Sequence, residues 1–225
     1  MSARRTRVKI CCIASVAEAA MAVASGADAV GLVGAMPSGP GPIPEDLIAE
    51  IAGTVQPPVA SVLLTAAETA TEIVAQVMAA GVTCVQIVRH IDPAEAAALA
   101  DLLPSLRRIQ VIHVESEAAL TLIPLYAPHA DAFLLDSGKP SAAQVTLGGT
   151  GLVHNWAISE AFVEASPLPV FLAGGLNPGN VGDAIRRVRP FGVDVCSGLR
   201  TDGHLDAVKL QAFMTAVTAA DQIRT

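Results

Sequence analysis

Short apolar runs bounded by turn residues recur along the whole chain, and a stretch with helical spacing follows each one. The runs that read as strands are Val8–Ile13, Ala29–Val33, Val59–Leu64, Cys84–Val88, Ile109–Val114, Ala132–Leu135, Val170–Ala173 and Val193–Cys196. The helix-like stretches between and after them are Ser15–Ser25, Pro44–Gly53, Ala67–Ala80, Pro93–Leu102, Glu115–Tyr126, Trp156–Ala165, Pro178–Val188 and Leu205–Ala220. Strands buried on both faces of a parallel sheet read as near-continuous apolar runs. Eight strand–helix units, beginning with a strand and ending with a helix, are what a (β/α)8 TIM barrel requires. A doubly wound open sheet is the alternative. It normally carries a G-x-G-x-x-G turn after its first strand, and Cys11-Cys12-Ile13-Ala14-Ser15 stands there instead. No linker or low-complexity stretch divides the chain, so one α/β barrel domain is expected over residues 1–225.

The punctuation agrees with these units. Ser15 precedes Glu18 by three residues, the spacing of a capping box. Gly26 and Gly81 follow the first and third helices, where left-handed caps favour glycine. Pro44, Pro93 and Pro178 suit the first helical turn. The core must be aliphatic: 52% of the chain is hydrophobic but only 3% is aromatic.

Charge and cysteine content exclude several classes. With 21 acidic residues against 14 basic ones, the net charge is -7, and nucleic-acid binders usually present a basic face. No apolar run approaches the roughly 20 residues of a membrane span. Lys9, Glu18 and Asp28 interrupt anything resembling a secretory leader, so a cytoplasmic protein is expected. Four cysteines are too few for a disulfide scaffold. No His/Cys/Asp trio has metal-motif spacing, and no metal site is expected.

In a barrel, chemistry gathers at the C-terminal ends of the strands. Gly174-Gly175-Leu176-Asn177-Pro178 follows the seventh strand and Ser197-Gly198 the eighth. Loops at these two places commonly hold phosphate, because small residues let backbone N–H groups approach the anion beside a helix N-terminus. Gly148-Gly149-Thr150-Gly151, after the sixth strand, could form another wall or a lid. Cys11 and Asp136 end the first and sixth strands. A thiolate can remove a proton, and a carboxyl in a dry pocket can keep one to give away. Alternatively, Cys11 is a buried small hydrophobe and Asp136 a turn cap. His113 ends the fifth strand, either lining the mouth or belonging to the core. Cys11 and Cys196 end neighbouring strands, which would let them oxidise together unless Cys196 is simply core.

Lys9-Ile10-Cys11, Gly26-Ala27-Asp28-Ala29-Val30-Gly31, Leu134-Leu135-Asp136-Ser137, Gly148-Gly149-Thr150-Gly151, Leu172-Ala173-Gly174-Gly175-Leu176-Asn177-Pro178 and Arg189-Pro190-Phe191-Gly192-Val193-Asp194-Val195 together resemble the phosphoribosylanthranilate isomerase family. The likeness runs from about Val8 to Phe213. It implies an aldose–ketose isomerase of tryptophan biosynthesis. That enzyme carries out an Amadori rearrangement of N-(5-phosphoribosyl)anthranilate with no metal or organic cofactor. It implies Asp136 as general acid, Cys11 as general base, and a phosphate held by Gly149, Gly151, Gly174, Gly175, Ser197 and Gly198, with Asn177 in the same loop. Asp194 would sit near the substrate amine, or else be a cap or core-network residue. The implied partner is a phosphorylated small molecule, and a monomer or homodimer is expected.

The departures from the family cluster on one side. The loop after the second strand usually carries an arginine for the aryl carboxylate, and here Gly34-Ala35-Met36-Pro37-Ser38-Gly39-Pro40-Gly41-Pro42 has no cation. The usual Gln-Leu-His-Gly after the fourth strand is Gln86-Ile87-Val88-Arg89-His90. Cys12 replaces a glycine, and Cys196-Ser197-Gly198-Leu199-Arg200 ends in a guanidinium where a carboxylate is usual. Arg89 or Arg200 is therefore the expected carboxylate clamp, since a planar fork suits that task. The alternatives are a related isomerase acting on a different phosphorylated amino sugar, or a non-catalytic phosphate-binding paralogue.

Overall fold

The computed structural model describes residues 5–37, 39, 41–137 and 155–223. Eight parallel strands close into a barrel in chain order: β1 Arg7–Ile10, β2 Ala29–Val33, β3 Ala60–Thr65, β4 Cys84–Ile87, β5 Arg107–His113, β6 Ala132–Asp136, β7 Val170–Leu172 and β8 Gly192–Val195. The seam pairs β1 with β8 so that Lys9 faces Asp194 and Ile10 faces Val195. The chain is a (β/α)8 barrel, as its repeating units predict.

Alternation along each strand sorts the core into two layers. Val8, Ile10, Val30, Leu32, Val85, Ile112, Phe133, Leu135, Val193 and Val195 face outward and pack under the helices. Ala29, Val62, Leu64, Cys84, Ile109, Val111, Ala132, Leu134 and Ala173 face inward and fill the barrel. Ala and Cys alternate there with Val, Leu and Ile, because the interior of an eight-stranded barrel is just wide enough for side chains to fill it. Gly192 shows the constraint. A Cβ there would stand 2.5 Å from the Phe171 ring, which plugs the barrel floor.

The helices are α1 Val16–Ala24, α2 Glu45–Thr54, α3 Ala70–Ala80, α4 Pro93–Leu102, α5 Ile123–Tyr126, α6 Trp156–Ala165, α7 Val181–Val188 and α8 Ala207–Ile223. Ser15 caps α1 by accepting from the Glu18 N–H, and Gly81 ends α3 at φ 63°. The Glu18 carboxylate does not return to the cap. It accepts from the Ala14 N–H at 3.0 Å and serves a larger network described below. The full capping box belongs to Thr69 and Glu72, which start α3 three residues later than the Ala67 its spacing suggests.

Two further boundaries differ for local reasons. The expected fifth helix is a 3-10 segment, Glu117–Leu122, followed by the single α-turn of α5. Pro124 has no N–H for Leu120 and its ring would strike that carbonyl, so a continuous α-helix is blocked. The seventh helix begins at Val181 rather than Pro178. Asn177 Oδ1 accepts from the Gly179 N–H at 2.8 Å, and Asn180 Oδ1 accepts from the Asn177 N–H at 2.8 Å. These side-chain bonds hold 177–180 as a turn instead of a first helical turn. After β8, a 3-10 turn Ser197–Leu199 leads into a two-stranded hairpin, β9 Arg200–Thr201 and β10 His204–Leu205, before α8. Among the described residues no helix is long and apolar enough to cross a membrane.

Candidate active site

The β1–β8 seam brings an ion pair into the barrel. Lys9 is fully buried, and its Nζ donates to Asp194 Oδ1 at 2.9 Å and lies 3.4 Å from Cys11 Sγ. An unpaired ammonium there would be costly enough to lose its proton, so Asp194 is what keeps it charged. Burial pulls the Lys9 pKa down, but Asp194 and then Cys11 override it and hold it above its ordinary value. Gly31 on β2 makes the space. A Cβ there would stand 2.8 Å from Cys11 Sγ and 3.0 Å from Lys9 Nζ. A glycine inside a strand often marks such a close approach. Burial also pushes the Cys11 thiol up to about 11; Lys9 opposes this and Asp194 adds to it. Asp194 is thus both a network residue and a wall of the cavity.

Asp136 stands at the end of β6 with its Oδ1 accepting from the Ser137 N–H at 2.7 Å. Burial raises its pKa above the usual carboxylate range. The Ser137 N–H and His113 pull it back, and Asp194 pushes it further up. Cys11, Asp136, Asp194, Gly174, Gly175 and Ser197 line one cavity at the C-terminal mouth of the barrel. Gly174 and Gly175 have φ of 80° and 65°, the left-handed region that glycine occupies without strain. Gly198 and Asn177 lie behind this wall. A Cβ on Gly198 would overlap the Leu176 carbonyl oxygen at 2.0 Å, so this glycine lets the loops after β7 and β8 meet. Gly149 and Gly151 lie outside the described residues.

A family model for N-(5'-phosphoribosyl)anthranilate (PRA) isomerase matches residues 8–216. The chain belongs to this isomerase family. N-(5'-phosphoribosyl)anthranilate isomerase 2 of Methanosarcina mazei is 38% identical over 210 residues, 92% of each chain. The Haloarcula marismortui isomerase is 38% identical over 199 residues, covering 88% of this chain and 89% of its own. A phosphoribosyl anthranilate isomerase in complex with reduced 1-(o-carboxyphenylamino)-1-deoxyribulose 5-phosphate superposes with a TM-score of 0.79 at 26% identity, covering 95% of this chain and 99% of the other. The Thermococcus kodakaraensis isomerase gives a TM-score of 0.78 at 30% identity, covering 94% and 98%.

Within this family frame, the structure turns both expected clamp arginines away from the cavity. Arg89 pairs with Glu68 at 2.8 Å and does not line the cavity. Arg200 is a structural pin. Its guanidinium meets the Glu18 carboxylate at 3.0 Å, the Gly203 carbonyl at 2.8 Å and the Cys12 carbonyl. Glu18 also accepts from the Leu205 N–H at 2.9 Å, so the pair ties α1 and the residues before it to the hairpin after β8. Burial would raise the Glu18 pKa, but Arg200 and the two backbone N–H groups hold it below its ordinary value.

The expected cysteine partnership is also corrected. Cys196 is bonded to Cys12, not Cys11, with Cα atoms 5.8 Å apart. Cys11 and Cys84 remain as buried thiols. The reason is direction. Cys11 continues the inward alternation of β1 toward Lys9, whereas Cys12 turns at φ 60° and presents its sulfur to the end of β8. Gly41 lets the β2 loop pass over this bridge, since a Cβ there would come 2.8 Å from Cys12 Cβ.

Two cavity residues carry unused polar atoms. His113 is 4% exposed and its Nε2 lies 2.9 Å from the Val88 carbonyl, yet its Nδ1 is buried without a partner. Gln86 is 4% exposed, and its Oε1 is likewise without one. The sequence placed His113 at the mouth but gave no sign of which nitrogen is free. It gave no warning of the Glu18–Arg200 pair, whose members are 182 positions apart.

Two outcomes follow. Arg200→Ala should lower stability by about 2 kcal/mol in denaturant melts at neutral pH, because it strands a buried carboxylate, with little change in the Michaelis constant. The contribution of the pair should be complete above the ordinary glutamate value of 4.5 and be lost as pH falls through the depressed one. A large rise in the Michaelis constant without a loss of stability would return Arg200 to the clamp. Thiol titration of the unfolded, air-handled chain without reductant should find two of the four cysteines free, and all four after reduction. Four free thiols without reductant would remove the bridge.

Proposed function

We propose that the chain is an aldose–ketose isomerase converting N-(5-phosphoribosyl)anthranilate to 1-(o-carboxyphenylamino)-1-deoxyribulose 5-phosphate, the Amadori step of tryptophan biosynthesis. One observation carries the reading: Cys11 and Asp136 line a single cavity, and Gly174, Gly175 and Ser197 stand between their strands around the barrel. A substrate whose phosphate sits in the loops after β7 and β8 has Asp136 on one flank and Cys11 on the other.

Asp136 gives its proton to the furanose ring oxygen as the C1–O bond breaks and the anilino nitrogen forms a Schiff base at C1. Cys11 as thiolate takes the C2 proton, and the C2–H electrons move to neutralise the iminium, giving an enolamine. Return of a proton to C1 and loss of the C2 hydroxyl proton complete the ketone. The scheme needs no metal or organic cofactor. Backbone N–H groups of the glycine loops suit the phosphate, which answers how a chain of net charge -7 holds an anion. We place this enzyme in the cytoplasm as a monomer or homodimer. A mutually generated monomer of dimeric phosphoribosylanthranilate isomerase from Thermotoga maritima is among the similar structures. The cation-free loop after β2 supports a second reading, a different phosphorylated amino sugar as substrate.

The raised pKa of both groups has a kinetic signature. Below the Asp136 value both groups are protonated and there is no base; near 11 the thiol ionises and no acid remains. The productive form is the singly protonated one with the proton on Asp136. The kcat/KM profile should therefore rise at a pH above the ordinary carboxylate range, stay level, and fall near 11. Turnover is read as loss of substrate fluorescence. Cys11→Ser and Asp136→Asn should each lower kcat by about 10²- to 10⁴-fold. Wild-type rates in both variants would overturn the assignment. Phosphate binding without turnover of phosphoribosylanthranilate would favour the second reading.

A further inference from the structure

The phosphate end and the two proton-transfer groups account for β1, β6, β7 and β8. The opposite wall is unassigned. In a closed eight-stranded barrel β3 and β4 lie across from β7 and β8, so the far end of a substrate anchored by phosphate reaches the wall formed by β3, β4 and β5. Leu64, Val88 and Val111 make that wall apolar, a surface suited to an aromatic ring. An ortho-carboxylate on the ring must find a donor there.

Among the described residues lining the cavity, His113 is the one side chain that can carry positive charge. Lys9 is committed to Asp194, Arg89 to Glu68 and Arg200 to Glu18. The imidazole is fixed in place, because Nε2–H donates to the Val88 carbonyl at 2.9 Å. That bond leaves Nδ1 buried and unpartnered, on a residue that lines the cavity, and buried polar atoms without partners are uncommon enough to require a reason. Gln86 Oε1, also unpartnered, is an acceptor. It suits the anilino N–H and repels a carboxylate, which steers the anion toward β5.

Resting on the isomerase reading, we propose that His113 is the seat of the substrate's aryl carboxylate, binding it through Nδ1–H as an imidazolium. Since Nε2–H is committed to the Val88 carbonyl, the carboxylate can be bound this way only through a proton on Nδ1. The charged and titratable groups around His113 are Asp136, its register partner on β6, His90 after β4 with ring centres 5.5 Å apart, and Glu115 just past the end of β5. Of these only Asp136 lines the cavity.

The test compares three probes by calorimetry. They are reduced 1-(o-carboxyphenylamino)-1-deoxyribulose 5-phosphate, its analogue lacking the carboxyl group, and ribose 5-phosphate. The wild-type chain should prefer the carboxylated ligand by about tenfold or more, as expected for a charge-assisted hydrogen bond. A crystal structure of the wild type with the carboxylated ligand should place a carboxylate oxygen within hydrogen-bond distance of His113 Nδ1. His113→Gln, which keeps a donor for Val88, should lose the preference while binding ribose 5-phosphate as before. A preference retained in His113→Gln, or a ligand carboxylate away from Nδ1 in the wild type, overturns the assignment. The wild-type complex needs no variant, so a variant that fails to fold leaves the test intact. Failure of all three probes to bind the wild type counts against the isomerase reading instead.

Discussion

The buried Lys9–Asp194 pair is the interaction on which the site depends. It joins β1 to β8 at the seam where the barrel closes, and it does so inside the barrel, where the fully buried ammonium depends on its carboxylate partner. Its presence dictates the neighbours. Gly31 must lack a side chain, because the ammonium and the Cys11 sulfur occupy the space a Cβ would take. Cys11, two residues along the same inward face, is held beside a cation yet in surroundings that favour the neutral thiol. Burial wins that contest. The result is a thiol whose anion would be strongly basic once formed, sharing its cavity with a carboxyl, Asp136, whose proton affinity burial raises by the same means.

Much of this was legible before any coordinates. Eight apolar runs with helical spacing between them point to a parallel sheet covered on both faces, and their regular count together with the missing G-x-G-x-x-G turn favours a barrel over a doubly wound sheet. Strand ends then placed Cys11, Asp136 and the glycine loops at one mouth, which is a property of the fold and needs no side-chain detail. The errors lie where a side chain chose among local partners. Pro124 broke a helix whose hydrophobic spacing was otherwise continuous. Asn177 captured the Gly179 N–H and delayed α7 by three residues. Arg200 went to Glu18, a contact between residues 182 apart that periodicity cannot register.

Two of the departures from the family pattern resolve into pairs. Cys12 stands in a left-handed backbone position, and Cys196, at the end of the neighbouring strand, bonds to it. Arg200 meets Glu18 from the adjacent helix. Both pairs stitch the loop after β1 to the segment after β8, next to Cys11 on one side and the glycine loops on the other. They reinforce the scaffold and leave the cavity wall to other residues. What remains for the aryl end is an apolar surface on β3, β4 and β5 with one histidine and one glutamine, a less charged solution than an arginine in the loop after β2.

The central claim is that this cavity performs the tryptophan-pathway isomerisation with Cys11 as its base. Complementation tests it most directly. A bacterial strain lacking its own phosphoribosylanthranilate isomerase is given the chain or its Cys11→Ser variant and grown without tryptophan. The account predicts growth with the chain and none with the variant at equal protein levels. Absence of growth with well-expressed wild-type chain, or equal growth with both, would contradict it.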